Sequence, residues 1–218
     1  MSEAPRHINA AIHDFDGTLA DSGAVNLEAM AQVLGRDAFT AEEVEDIRRL
    51  TTLQGMQMLG IRKWQLPRLL LRGQRIVAQN MHRVDVFEGI PEAIGELDAE
   101  GYSQYVLSTN SAENIRTLLD RHDLTASMRD IHGGAGMFGK ARRLTNLIKR
   151  EGLLAEHCVY VGDEGRDVEA ARKAGVQCVA VAWGFQDAKT LAAHEPDALV
   201  TSPAELADAI RSLQAAAA

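Results

Sequence analysis

The chain has 218 residues, 46% of them hydrophobic and 25% charged, which is enough to bury a full core for one domain, or one domain with a sizeable insertion, and excludes a mini-protein. Lysine and arginine number 23 against 31 aspartates and glutamates, a formal charge of −8; that acidity argues against nucleic-acid binding, which relies on a basic field. No uninterrupted apolar run is long enough to cross a bilayer, and the opening MSEAPRHINA lacks the basic start and apolar middle of a secretory signal, so no membrane association and a cytoplasmic location are expected.

In chain order, the first β-type run is INAAIHDFD (8–16), which closes on a Gly-Thr turn and three acids within eight positions, Asp14, Asp16 and Asp21. From about Gly23 to Arg83 no convincing strand occurs. AVNLEAMAQVLG, AEEVEDIRRL and LPRLLLRGQRIVAQNMHRV instead carry helical spacing of apolar residues, so residues 23–85 are expected to form a small helical domain inserted after the first strand. VFEGIPEA marks the return, where Gly89 and Pro91 turn the chain into a helix. Four more strands follow: SQYVLSTN (103–110), CVYVGDE (158–164), QCVAVAWG (177–184) and DALVTS (197–202), separated by helical stretches, several of which end in glycine. Cys158 and Cys178 sit inside two of these runs and are expected as reduced thiols packed as small hydrophobes. Strands alternating with helices imply an α/β fold: a Rossmann-like parallel sheet core with helices on both faces, built from residues 1–22 and 86–218, with the all-α cap at 23–85 inserted.

In open α/β sheets, ligands bind outside the carboxyl ends of the strands. Strand one delivers Asp14 and Asp16 there, strand two Ser108, Thr109 and Asn110, and strand three Asp163, Glu164 and then Asp167; Lys140 begins the helix before strand three. Converging carboxylates repel one another and lose hydration, which a divalent cation relieves, and a hard oxygen donor set selects Mg2+ or a similar ion. Alternation along a strand puts Asp14 and Asp16 on one side with Phe15 opposite, and His13, alternating away from the two aspartates, is expected to pack or make a surface contact. Two carboxylates so spaced can divide the work: one attacks phosphorus, the other carries a proton for the leaving oxygen and later takes one from water.

DFDGTLADS, then LSTN, Lys140, VYVGDEGRDVEAARKAG and AVAWGF, in that order, closely resemble the haloacid dehalogenase-like hydrolase superfamily, nearest its phosphoglycolate-phosphatase-like branch. The resemblance implies that Asp14 is the nucleophile forming an aspartyl phosphate and Asp16 the general acid/base. It implies that Thr109, with Asn110 beside it, binds the transferring phosphoryl group, and that Lys140 neutralises nucleophile and phosphate. It further implies that Asp14, Asp163, Asp167 and the backbone carbonyl of Asp16 hold Mg2+. Relatives in that branch often follow the lysine with proline, where this chain has Ala141. Glu164 is an extra acid beside Asp163, read as facing solvent or lying behind the ligands. Dehalogenase-type and phosphonatase-type members lack an acid two residues after the nucleophile, so Asp16 selects phosphomonoester hydrolysis; the resemblance implies a small phosphorylated metabolite, phosphoglycolate-like, as substrate, and a monomer or homodimer is expected. A sugar phosphomutase on the same core and a non-catalytic metal- and phosphate-binding regulatory protein are the alternatives. Substrate choice is expected in the cap, with Arg48, Arg49, Thr51, Arg62 and Lys63 as candidate readers of a carboxylate or second phosphate; the basic runs holding them can equally be solvated helix faces.

Overall fold

The computed structural model describes residues 8–134 and 139–215, so the opening residues of the expected core segment lie outside the described residues. The chain runs β1 (Ala10–His13) and β2 (Ala20–Asp21) into four helices, α1 (Gly23–Leu34), α2 (Ala41–Arg48), α3 (Thr52–Met58) and α4 (Leu66–Asn80). It returns through β3 (Asp85–Val86), α5 (Ile90–Ala99), β4 (Ser103–Leu107), α6 (Ala112–Asp120) and β5 (Met128–His132). The last part is α7 (Lys140–Arg150), β6 (Cys158–Gly162), α8 (Gly165–Ala174), β7 (Gln177–Val181), α9 (Ala188–Ala192), β8 (Ala198–Val200) and α10 (Leu206–Ala215).

Six strands form one parallel sheet in the order β5-β4-β1-β6-β7-β8, with Ile12 of β1 opposite Tyr105 on one side and Tyr160 on the other. The central strands are mostly apolar because both faces are covered. Alternate residues divide between two cores: Ala11, Val106, Val161 and Val179 pack with Ile94, Ile115 and Ile210 of α5, α6 and α10. Ala10, Ile12, Leu107 and Tyr160 pack with Leu144, Leu147 and Val168 of α7 and α8. The α/β reading of the sequence therefore holds, and the reason is the one the pattern implied, helices on both sides of parallel strands.

The helical excursion is joined to the sheet at its base. β2 and β3 pair antiparallel, Ala20 opposite Val86 and Asp21 opposite Asp85, so the outgoing and returning chains lie side by side. Phe15 and Leu19 share one buried cluster with Val25 and Ala29 of α1 and Val77 of α4, which makes the root of the excursion continuous with the main core. Farther out, α2 and α3 are each started by a capping box, Thr40 with Glu43 and Thr51 with Gln54.

Sequence reading missed β5 and the two-residue ribbon. β5 is an edge strand whose Arg129, Asp130 and His132 interrupt its apolar positions, so its pattern resembles a loop. Among the described residues no helix is long and apolar enough to cross a membrane. Both cysteines are free and buried, and burial pushes the Cys158 thiol up to about 12, where it is inert.

Leu144 holds α7, the helix that begins with Lys140, against the sheet and is fully buried. Leu144→Ala is expected to cost about 2–5 kcal/mol and, in a chain of this size, to lower Tm by roughly 5–15 °C in calorimetry. A shift of less than about 2 °C would show that this packing does not hold the helix.

Candidate active site

All six strands of the main sheet point the same way, so their carboxyl ends lie along one edge, and the chain departs from β1 toward β4 on one side and β6 on the other. Asp14 leaves β1 with its N–H still donating to Val161 O at 2.8 Å, which keeps it beside the end of β6. Gly17 then turns at φ +76°, and a Cβ there would lie 2.1 Å from Asp163 Oδ2; the loop can press on that carboxylate only as glycine. Asp163, fully buried, accepts from the Thr18 hydroxyl at 3.1 Å and from Phe185 N–H at 2.7 Å. Asp167 lies in the first turn of α8 and accepts from Glu164 N–H at 3.1 Å. Lys140, the first residue of α7, donates to Asp14 Oδ2 at 2.5 Å and also to Asp167 Oδ1. Asp14, Asp163 and Asp167, all buried, each offer a carboxylate oxygen, and these oxygens lie within 4.8 Å of one another.

The site is short of positive charge. Burial pulls the Lys140 ammonium toward neutrality, but Asp14 and Asp167 outweigh it and hold the group well above its ordinary range. Burial, reinforced by Glu164, Asp167 and Asp14, pushes Asp163 well above the carboxylate range, and burial raises Asp167 to about 6 against the opposing pull of Lys140. Among the described residues no cation lies within ion-pair distance of Asp163; its partners are neutral donors. Three buried carboxylates with hard oxygen donors and one shared ammonium fit a divalent cation of the Mg2+ type, which would keep all three ionised. Glu164 is drawn off by an ion pair with Arg166. A second acidic grouping, Asp130, His132 and Glu151, is different: Arg150 bonds all three, so it is an ion-pair network on an edge strand.

Asp16 sits in another environment. It is half-buried, and loss of water pushes its carboxyl up, opposed by the Ser22 hydroxyl, reinforced by Asp14 and opposed again by the amides of Asn110 and Asn26. Asn110 Nδ2 lies 3.1 Å from Asp16 Oδ2, and its own orientation is set by Ser111 N–H and Asn114 Nδ2, which donate to its Oδ1 at 2.9 and 2.8 Å.

The family model for haloacid dehalogenase-like hydrolases matches residues 11–181. The chain belongs to this family. A phosphoglycolate phosphatase of Synechococcus elongatus is 35% identical over 94% of this chain and 99% of its own length. A 5'-nucleotidase of Pseudomonas aeruginosa is 27% identical over 90% of this chain and 92% of its own. Among solved structures, one described as a predicted phosphatase from Clostridium acetobutylicum superposes with a TM-score of 0.81 at 18% identity, covering 94% of this chain and 99% of that one. The chain is thus a haloacid dehalogenase-like hydrolase of the phosphatase type, in the phosphoglycolate-phosphatase-like branch.

Within this haloacid dehalogenase-like frame, the residues expected from the motifs fall as follows. Asp14, Lys140, Asp163 and Asp167 form one connected group, and Asn110 joins Asp16 to the end of β4. Thr109 is half-buried at that strand end, where its carbonyl accepts a bond from Gln74 of α4. The helical residues are more dispersed. Arg48 donates to Gly184 O at 2.7 Å, Arg49 pairs with Glu45 and approaches Asp187, Thr51 caps α3, and Arg62 is exposed. The Lys63 side chain lies outside the described residues. Sequence reading missed Ser22, Asn26 and Asn114. Ser22 stands at the N-cap of α1 without capping it, its side chain accepting instead from Asn26 Nδ2 at 2.9 Å and facing Asp16; the two polar residues one turn apart at a helix start were the available signal.

Asp163 and Asp167 retain protons in the folded state that the unfolded chain has already released, so without a cation the contribution of Asp167 to stability falls as pH rises from about 4 through about 6, and that of Asp163 falls as pH rises through its own raised range. A cation opposes this. At about 100 times its Kd, Mg2+ is expected to add about 2.7 kcal/mol, raising Tm by roughly 5–10 °C at pH 7.5, with a smaller shift at pH 5 and none in Asp163→Asn. A shift equal at both pH values, or one surviving in Asp163→Asn, would exclude this cation site.

Proposed function

We propose that this chain is a Mg2+-dependent phosphatase that hydrolyses a small phosphomonoester, phosphoglycolate by analogy with its 35%-identical relative, through an aspartyl phosphate on Asp14. The observation that supports this best is the contrast between two carboxylates two residues apart. Asp14 lies against the Lys140 ammonium at 2.5 Å, whereas Asp16, among the described residues, is held by hydroxyl and amide groups and has a raised pKa. An anion-holding environment suits the nucleophile, and a proton-holding one suits the acid.

In this mechanism an Asp14 Oδ attacks phosphorus while the ester oxygen departs with the proton carried by Asp16. The anionic Asp16 then takes a proton from water, whose oxygen attacks phosphorus, releasing inorganic phosphate and restoring Asp14. Lys140 offsets charge on the nucleophile and on the phosphoryl oxygens, and Thr109 and Asn110 orient the phosphoryl group and Asp16. Asp14, Asp163, Asp167 and the Asp16 carbonyl would hold the cation, which, when bound, supplies charge neutralisation between nucleophile and phosphate. Residues 23–85 are proposed as a cap that excludes water and selects substrate. Arg48, Arg49 and Thr51 have structural partners, which leaves Arg62, among the described residues, as the candidate to meet a second anionic group.

With Mg2+ present, Asp14→Asn is expected to lower phosphate release from 2-phosphoglycolate roughly 10,000-fold or more, and acid-quenched wild type should carry one phosphoryl group on the peptide containing Asp14. Asp16→Asn should slow 2-phosphoglycolate by roughly 100- to 10,000-fold but p-nitrophenyl phosphate far less, since a nitrophenolate leaves without a proton. Retained turnover in Asp14→Asn, or equal losses on both substrates in Asp16→Asn, would overturn the respective assignments.

A further inference from the structure

We propose that Gln186 is a positioning residue that locks the cap to the helix presenting Asp167. It lies in the loop between β7 and α9, whose backbone already grips the site: Phe185 N–H donates to Asp163 Oδ2 at 2.7 Å, and Gln186 N–H reaches Asp163 O at 3.4 Å. The Gln186 side chain, only 5% exposed, points two ways. Its Oε1 accepts from Gly165 N–H at 2.6 Å, and its Nε2 donates to Leu50 O at 2.7 Å.

Each end meets a backbone group that helix geometry leaves unpaired. Gly165 opens α8, so its N–H is one of the first-turn donors without an intrahelical acceptor; Leu50 lies just past the end of α2, where carbonyls lack intrahelical donors. A primary amide carries its acceptor and its donor on separate atoms of one planar group, which lets Gln186 bond in both directions at once, and asparagine is one methylene shorter. Neighbouring contacts tie the same two segments: Arg48 to Gly184 O at 2.7 Å, Asp187 N–H to Arg48 O at 3.3 Å, and Arg49 to Asp187 at 3.9 Å. Among the described residues the polar cap partners of this loop fall within residues 48–50, so the Gln186 amide helps to hold down the end of α2. The other end of that amide sits one residue from Glu164 and two from Asp167. The Gln186 side chain thus couples the seating of the cap, which the neighbouring contacts share, to the setting of the α8 N-terminus.

The structural lock stands on the geometry; its effect on rate rests on the phosphatase reading above. Two variants separate the ends. Gln186→Glu, measured at a pH alkaline enough to ionise it, retains an acceptor for Gly165 N–H but has no donor for Leu50 O, whereas Gln186→Met removes both bonds without adding charge. In hydrogen exchange with Mg2+ present, peptides covering residues 41–50 should exchange roughly tenfold faster in both variants, the effect of one lost buried hydrogen bond. Peptides covering 163–170 should speed up only in Gln186→Met. In turnover, Gln186→Glu should lower kcat for 2-phosphoglycolate about tenfold and leave kcat for p-nitrophenyl phosphate within about twofold, because a nitrophenolate leaves readily without a closed, proton-donating site. Unchanged exchange over 41–50 in Gln186→Glu overturns the lock even if Gln186→Met does not fold, and equal losses on both substrates reduce Gln186 to a general structural residue. Inactivity of wild type on both substrates would sink the phosphatase reading instead, and the exchange data would still decide the lock.

Discussion

Three carboxylates cannot share a buried volume of a few ångströms unless something opposes their charge. Asp14, Asp163 and Asp167 do share one, and much of the local structure answers that constraint. Lys140 lies between two of them, Thr18 and the Phe185 amide hold the third, and Arg166 draws off the adjacent Glu164. These groups do not neutralise the cluster, since Asp163 and Asp167 remain raised. A buried acid cluster that disfavours its own ionised form fits a divalent cation, which would keep it ionised. The electrostatic deficit is thus the part of the structure most directly tied to phosphoryl chemistry.

The parallel sheet makes this crowding attainable. Because β1, β4 and β6 are adjacent and point the same way, their ends bring Asp14, Asn110 and Asp163 to one edge from positions far apart in sequence. The N-termini of α7 and α8 arrive at that edge as well, and each brings one member of the Lys140–Asp167 pair. Packing of Leu144 and Val168 beneath them converts hydrophobic burial into the position of a charge. The contrast in environment between Asp14 and Asp16 arises on the same strand end. Their backbones are nearly neighbours, yet one carboxylate meets a buried ammonium and the other meets amides and a hydroxyl at the root of α1.

The helical excursion is connected to the site at both its root and its far side. At the root, Phe15 and Leu19, on either side of the Gly17 turn, share a core with α1 and α4. On the far side, the end of α2 rests on the loop that also holds Asp163. The glycines follow from this convergence: a Cβ on Gly184 would lie 2.2 Å from Gly17 O, so the two loops meet as closely as backbone permits. The helical excursion and the acid cluster therefore share structural supports.

The sequence by itself determined the alternation of strands and helices, the interruption after the first strand, and the acids, amide and lysine placed at strand and helix ends. Such features are local: period, turn residues and residue type express them within a few positions. It could not reveal β5, whose polar residues are tolerated at an edge, nor the ribbon of β2 and β3, whose two-residue strands carry no period. Nor could it show that Ser22 and Asn26 turn toward Asp16, that Arg166 restrains Glu164, or that Arg48 is spent on Gly184. Those pairings join segments up to 136 positions apart, and only the tertiary fold decides which of many similar polar side chains meet, because hydrogen bonds and ion pairs depend on distances that chain order does not encode.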